Sequence, residues 1–359
     1  MEIKYLITFA SFILTFSAGF FWLSAYSKHI SDFEPSSATA KDSFLPLFVI
    51  LFVSFSALFF TNKQFFDFIY HPQYWSLLAA FLAAGLIYLG SLFKKSEKYT
   101  PLIILTAAIG CSFLLPKDFL LFEGNLPLIL DRTCIILLWF LFSFSYKYMN
   151  GIDGILSLQT ATSGAGIFFI SLLGGAPLLL GNYALALVGT ALAFMAFSWY
   201  PARIVLKQGA ASALGFIVAW LIIQSSVEKA ASCNLIFNLF FISEVIWAAA
   251  LKLTRRPQYK NIMSNTHYYQ ANVSGLAPNL ICNATAKLQA LLLILGTFQV
   301  YAPNAYSLPA ISFVLTLWFS NKIKNWQEET VSLKEINTNF IRDIKENVSD
   351  IKQHLNQDK

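Results

Sequence analysis

Charge is what this chain has least of. Asp, Glu, Lys and Arg make up 12% of its 359 residues, roughly half the share of an ordinary soluble domain, while hydrophobic side chains make up 57%. That is too little polarity for a typical water-soluble globule. Paired cysteines are missing too. Cys111, Cys134, Cys233 and Cys282 have neither the spacing of a disulfide framework nor that of a zinc site, and they read as small apolar fillers. Strict alternation of apolar and polar residues is absent, which argues against a membrane β-barrel. No interrupted-helix repeat or mid-membrane charge pair suggests a transporter. The net charge of +6 needs no nucleic-acid partner, because its placement along the chain accounts for it.

What the chain has is length in apolar runs. With 35 Phe and a mean hydropathy of +0.59, its solvent is largely acyl chain. A spanning helix takes about 20 mainly apolar residues. By that measure eleven candidates lie near 5–26, 43–61, 75–93, 100–115, 126–146, 156–175, 178–199, 210–227, 233–251, 282–302 and 306–320. The first is too long and aromatic for a signal-peptide core, and no small-residue cleavage site follows Tyr26, so it counts as a helix. The expectation is an all-α polytopic membrane protein with about eleven transmembrane helices.

The basic residues orient it. Of 25 Lys and Arg, 13 fall in or beside the odd-numbered loops, seven follow Ser320, and five belong to the N-terminus and even-numbered loops. The positive-inside rule then puts the N-terminus outside and the C-terminus in the cytoplasm. The chain divides into a polytopic domain, 1–320, and a tail, 321–359. In the tail Leu333, Ile336, Phe340, Ile344, Val348, Ile351 and Leu355 step by threes and fours, marking one face of a helix. Its acids and bases cancel, unlike those of a lipid-surface helix. A docked helix or short coiled coil, offering a surface to a protein partner or a second copy, fits this pattern; so does a solvated tail.

Ionisable groups are expensive in a membrane domain, so where they gather is informative. They gather in the third, fifth, seventh and ninth loops, all on the expected cytoplasmic side. The fifth holds Met149-Asn150-Gly151-Ile152-Asp153-Gly154-Ile155, whose glycines let backbone approach a ligand closely. The seventh holds Trp199-Tyr200-Pro201-Ala202-Arg203-Ile204, then Lys207-Gln208; the ninth holds Arg255-Arg256, then Ser264 and His267-Tyr268-Tyr269-Gln270. One carboxylate, one imidazole and several cations suit an anionic, phosphorylated ligand reached from the cytoplasm. Bland readings stand beside this one. Asp153 equally suits a cap for the next helix, His267 an interfacial ring stacked among Tyr268 and Tyr269, and the arginines and aromatics topology anchors and belt residues.

In this order the three motifs resemble those of the polyprenyl-phosphate sugar-1-phosphate transferases, the superfamily of the phospho-N-acetylmuramoyl-pentapeptide transferase and the O-antigen initiating transferases. The family patterns are Met-Asp-Gly-Ile-Asp-Gly-Ile, Trp-Pro-Pro-Ala-Arg-Ile, and Arg-Arg followed by His-Arg-Ser-His-x-Tyr-Gln, and the likeness runs from about the third span to the tenth. It implies a multi-pass protein of the bacterial cytoplasmic membrane. The implied reaction moves an N-acetylhexosamine 1-phosphate from a UDP-sugar to a polyprenyl phosphate, releasing UMP, with Mg²⁺ neutralising the diphosphate. Carried over by position, Asp153 is a metal ligand and catalytic residue and His267 a second catalytic residue. Lys147, Asn150, Arg203, Lys207, Gln208, Arg255 and Arg256 become substrate contacts.

The departures fall on the acids. Gly90 and Ser91 stand where the family has an Asp pair, Asn150 where the turn has its first Asp, Lys147 where it has Asn, Lys207 and Gln208 where it has Gly-Asp, and Ser264 where it has its first His. The usual Arg-Gly-Gly-rich segment before span two has no counterpart in Ser36 to Ser43. The resemblance thus leads to a transferase-type membrane protein with a reduced metal site, or to a catalytically silent relative that binds lipid phosphate or scaffolds glycan assembly.

Overall fold

The computed structural model of the chain describes residues 2–28, 44–61, 72–93, 99–116, 119–122, 126–226, 230–254, 265–303 and 305–326. Among these the fold is all helical, with no strand. Continuously apolar runs dictate this, since each must satisfy its backbone polar groups internally when water is absent. The helices are α1 (Glu2–Lys28), α2 (Phe44–Thr61), α3 (Pro72–Leu92), α4 (Thr100–Phe113), α5 (Leu128–Met149), α6 (Ile155–Leu172), α7 (Leu178–Ser198), α8 (Gln208–Ser225), α9 (Ala230–Thr254), α10 (His267–Val273) and α11 (Pro278–Gln299), followed by α12 over 307–326. Eight of them, α1, α3, α5 to α9 and α11, are long and apolar enough to cross a membrane, the architecture of a multi-pass membrane protein. Helices α2 and α4 are shorter apolar pieces. Pro101 and Pro278 sit in the opening turns of α4 and α11, where a missing N–H leaves no bond unmade.

Each apolar run expected to span the membrane is helical, and α10 is an addition. Helix α12 continues through 326, so residues 321–326 of the expected tail belong to it. The apolar stripe Leu333 to Leu355 lies outside the described residues.

Helix α8 forms the axis. It packs chiefly on α5 and α3, and nearly every one of its side chains is buried. Its first two turns, Gly209-Ala210-Ala211-Ser212-Ala213, are small, which lets neighbouring backbones come close in a setting where apolar attraction between helices is weak. Ser143 Oγ donates to Ser212 O at 2.8 Å and Trp139 Nε1 to Phe216 O at 3.1 Å, tying α5 to this axis. A second contact set joins α6, α9 and α11. Gln159 Nε2 donates to Asn238 Oδ1 (2.6 Å), and Gln289 Nε2 donates to Gln159 Oε1 (3.0 Å), all buried. The periphery is the reverse: Phe9, Phe21, Leu86, Phe113, Ile129 and Leu253 are exposed, as expected of a surface meant for lipid rather than water. All four cysteines are free thiols, buried or half-buried.

Candidate functional site

Two apolar cores meet at one end of the bundle. Met149, Ile152 and Ile155 pack with Tyr268 and Ile281 in the smaller core, while Leu156, Ile204 and Leu206 belong to the larger one. The turn 150–154 joins α5 to α6 at this seam. Gly154 makes the turn possible. It sits at φ +83°, and a Cβ there would lie 3.0 Å from the Trp199 ring, so an L side chain is both strained and crowded.

Gly154 also holds the N-cap position of α6, without a side-chain cap bond. The capping role considered for Asp153 is therefore not the one it plays. Its carboxylate reaches across the seam, and Oδ2 accepts the Ala202 N–H at 3.1 Å. Asn150 makes a parallel link, its side-chain amide donating to Leu206 O. The two motif positions that would hold a metal thus staple the 150–154 turn to the 199–207 connection. Partial burial raises the Asp153 pKa, and the Ala202 N–H bond opposes that rise.

A cavity of about 190 Å³ opens at the seam, lined by Asn150, Asp153, Ser157, Ser198 and the 204–206 backbone run among others. Ser157 and Ser198 hydroxyls meet at 3.0 Å on its wall. Arg203 and Lys207 bracket the lining segment in sequence and both are exposed, with Gln208 half-buried behind them. Lys147 stands one helical turn before Asn150 but is buried, its Nζ 5.5 Å from the centre of the Tyr148 ring. Nearby, the end of α3 closes on the start of α8 so tightly that a Cβ on Gly209 would overlap the Ser91 side chain. The structure thus gathers Ser91, Asn150, Asp153, Arg203, Lys207 and Gln208 at one end. Arg255 and Arg256 lie outside the described residues.

His267 reaches the same end by another route. Tyr268 Oη donates to Tyr148 O at 3.3 Å, and Cys282 Sγ donates to Asp153 O at 3.0 Å, so α10 and α11 both close on the α5–α6 turn. Among the described residues, however, His267 is not part of the cavity lining. Its partner is one that sequence reading missed: Glu244, 1% exposed in the middle of α9. Glu244 Oε1 lies 3.0 Å from His267 Nδ1, Oε2 accepts the His267 backbone N–H at 3.0 Å, and Ser320 donates to Oε1 at 2.8 Å. Trp247 stacks on the imidazole, with centroids 5.7 Å apart. His267 is therefore stacked on Trp247 and not among its tyrosine neighbours. Tyr268, expected in an interfacial belt, is wholly buried, because its hydroxyl finds a carbonyl inside. An acid within an apolar run was the available signal for Glu244.

The described residues do not fit Mg²⁺. That ion prefers a near-octahedral oxygen shell anchored by carboxylates. Among the described residues no cluster of three or more His, Cys, Asp or Glu can share an ion, and Asp153 has one oxygen committed to Ala202. In comparison with known proteins, the chain matches no family model and no curated protein.

Proposed function

We propose that this is a membrane protein of the sugar-1-phosphate transferase type, with eleven spans, an outside N-terminus and a cytoplasmic C-terminus. On this reading the Asp153 seam binds a phosphorylated ligand of that chemistry, a UDP-N-acetylhexosamine or the phosphate end of a polyprenyl lipid, without turning it over. One observation carries the reading: the cavity segment 204–206 is bracketed by exposed Arg203 and Lys207, while Asp153 and Asn150, the would-be metal ligands, are engaged in holding the loops. Cations in place of a carboxylate–metal pair neutralise a phosphate directly. This is the chemistry of a site that holds an anion and does not drive its transfer.

A second reading, an active enzyme, draws on the Glu244–His267 pair. A carboxylate on Nδ1 fixes the neutral tautomer with Nε2 as the proton acceptor, the arrangement of a positioned general base.

Both are tested with purified protein, UDP-N-acetylglucosamine, polyprenyl phosphate and Mg²⁺. The proposal expects saturable binding of one of the two ligands, lost on Arg203→Ala/Lys207→Ala, with no UMP released. Restoring acids at Gly90, Ser91, Asn150 and Gln208 would be needed for turnover. Absence of binding to either ligand overturns the proposal. UMP release abolished by Asp153→Asn and weakened by Glu244→Gln establishes the active enzyme instead.

A further inference from the structure

Helix α11 has two working faces. Ile281, Cys282, Thr285 and Gln289 are buried on the side that packs against α6 and α9. The other side looks across a groove of about 660 Å³ to α12. Its walls are mainly apolar, with Leu280, Leu291, Leu315 and Trp318 prominent, yet Lys287 and Lys322 both line it and no acid does.

The lysines are unusual for their place. Lys287 lies nine residues into α11, roughly 14 Å along its axis at 1.5 Å per residue. A cation within an apolar spanning helix is costly unless something negative meets it. Among the described residues, neither Lys287 nor Lys322 pairs with a carboxylate. Lys322 is nonetheless held in place: its Nζ lies 5.2 Å from the Trp318 ring centre and 5.3 Å from that of Trp326. Two indoles steady an ammonium without neutralising it. Tryptophan beside lysine at the end of an apolar helix also marks headgroup depth.

We propose that the α11–α12 groove binds one anionic glycerophospholipid of the surrounding bilayer, with its phosphate between Lys287 and Lys322 and an acyl chain along Leu291 and Leu315. The charge pair demands an anion, and the apolar walls demand that the anion carry a chain, which excludes free phosphate. The groove opens on the face of α11 that does not touch the Asp153 turn, so this lipid is distinct from any ligand at the seam. The inference stands whether or not the seam binds a sugar nucleotide.

Native mass spectrometry of the full-length protein in neutral detergent tests it, titrating phosphatidylglycerol or phosphatidylcholine of matched chains. One tightly retained phosphatidylglycerol is expected, with phosphatidylcholine held far more weakly. Lys287→Gln or Lys322→Gln should weaken retention about fivefold and the double variant about thirtyfold, while the arginine variants keep it. Both lysines are exposed, so the glutamine variants should melt like wild type without lipid, which checks the fold. Equal retention of phosphatidylcholine, or a double variant that binds like wild type, overturns the proposal. So does displacement by polyprenyl phosphate at equal concentration, which would assign the groove to a substrate lipid. A full-length protein that retains no phosphatidylglycerol overturns it as well.

Discussion

The two ends of α5 use an aspartate in opposite ways. At its first turn, Asp131 is buried and both oxygens accept main-chain N–H groups, from Leu121 at 3.1 Å and Phe122 at 3.0 Å. Beside it Arg132 donates to the carbonyls of Ser112 (3.2 Å) and Pro116. Among the described residues, the charge at that end closes a loop. Past the other end, which Met149 marks about 27 Å along the axis from Asp131, Asp153 is half-exposed, gives one oxygen to Ala202 and borders a cavity. The separation is close to the thickness of a bilayer's hydrocarbon. A carboxylate that spends all its hydrogen-bonding capacity on backbone builds structure. One that commits a single oxygen, as Asp153 does, ties two loops together and still borders a cavity.

Three substitutions sharpen this contrast. Asp131→Ala strands one buried and one part-buried N–H group and should cost about 2 kcal/mol, read as a lowered thermal midpoint of the detergent-solubilised protein, with ligand binding at the seam unchanged just below that midpoint. A midpoint equal to wild type would remove the structural assignment. Gly154→Ala forces a Cβ into left-handed backbone against Trp199 and should cost about 1–2 kcal/mol. Unlike the first, it should also weaken binding at the seam, because the turn that presents Asn150 and Asp153 must shift.

Asp153→Asn should have the smallest effect on stability, within about 0.5 kcal/mol, since Asn Oδ1 can still accept the Ala202 N–H. Its signature is pH dependence. The folded protein holds the Asp153 proton more tightly than the unfolded chain does. Its contribution is therefore fully present below the ordinary carboxyl pKa and is lost as pH rises through the raised folded value. Wild type should lose a little stability over that interval relative to Asp153→Asn. A difference of opposite sign would mean that a neighbouring cation, and not burial, governs this carboxyl.

Much of the helical layout was legible because composition alone fixes where a chain can hide its backbone in lipid. The seam was partly legible: Asn150, Asp153, Arg203 and Lys207 announce themselves by standing between apolar runs. What the residues could not reveal is who faces whom. Glu244 was averaged away inside the run 233–251, and its partner His267 is 23 residues on. The Asn238–Gln159–Gln289 chain carries no charge to draw attention, and it makes sense only once α6, α9 and α11 are seen to be neighbours. Asp131 and Arg132 are two opposite charges near the start of an apolar run. Their role appears only when the loop they close is in view.

The buried axis has a consequence for biogenesis. Helix α8 is enclosed on nearly every side, and its Gly- and Ala-rich opening makes it a poor candidate to wait alone in acyl chains. The two helices it packs on most, α3 and α5, precede it in the chain. A ribosome delivering the protein in order places those partners in the membrane first. When Gln208 to Ser225 emerges, both of those partners have already been made.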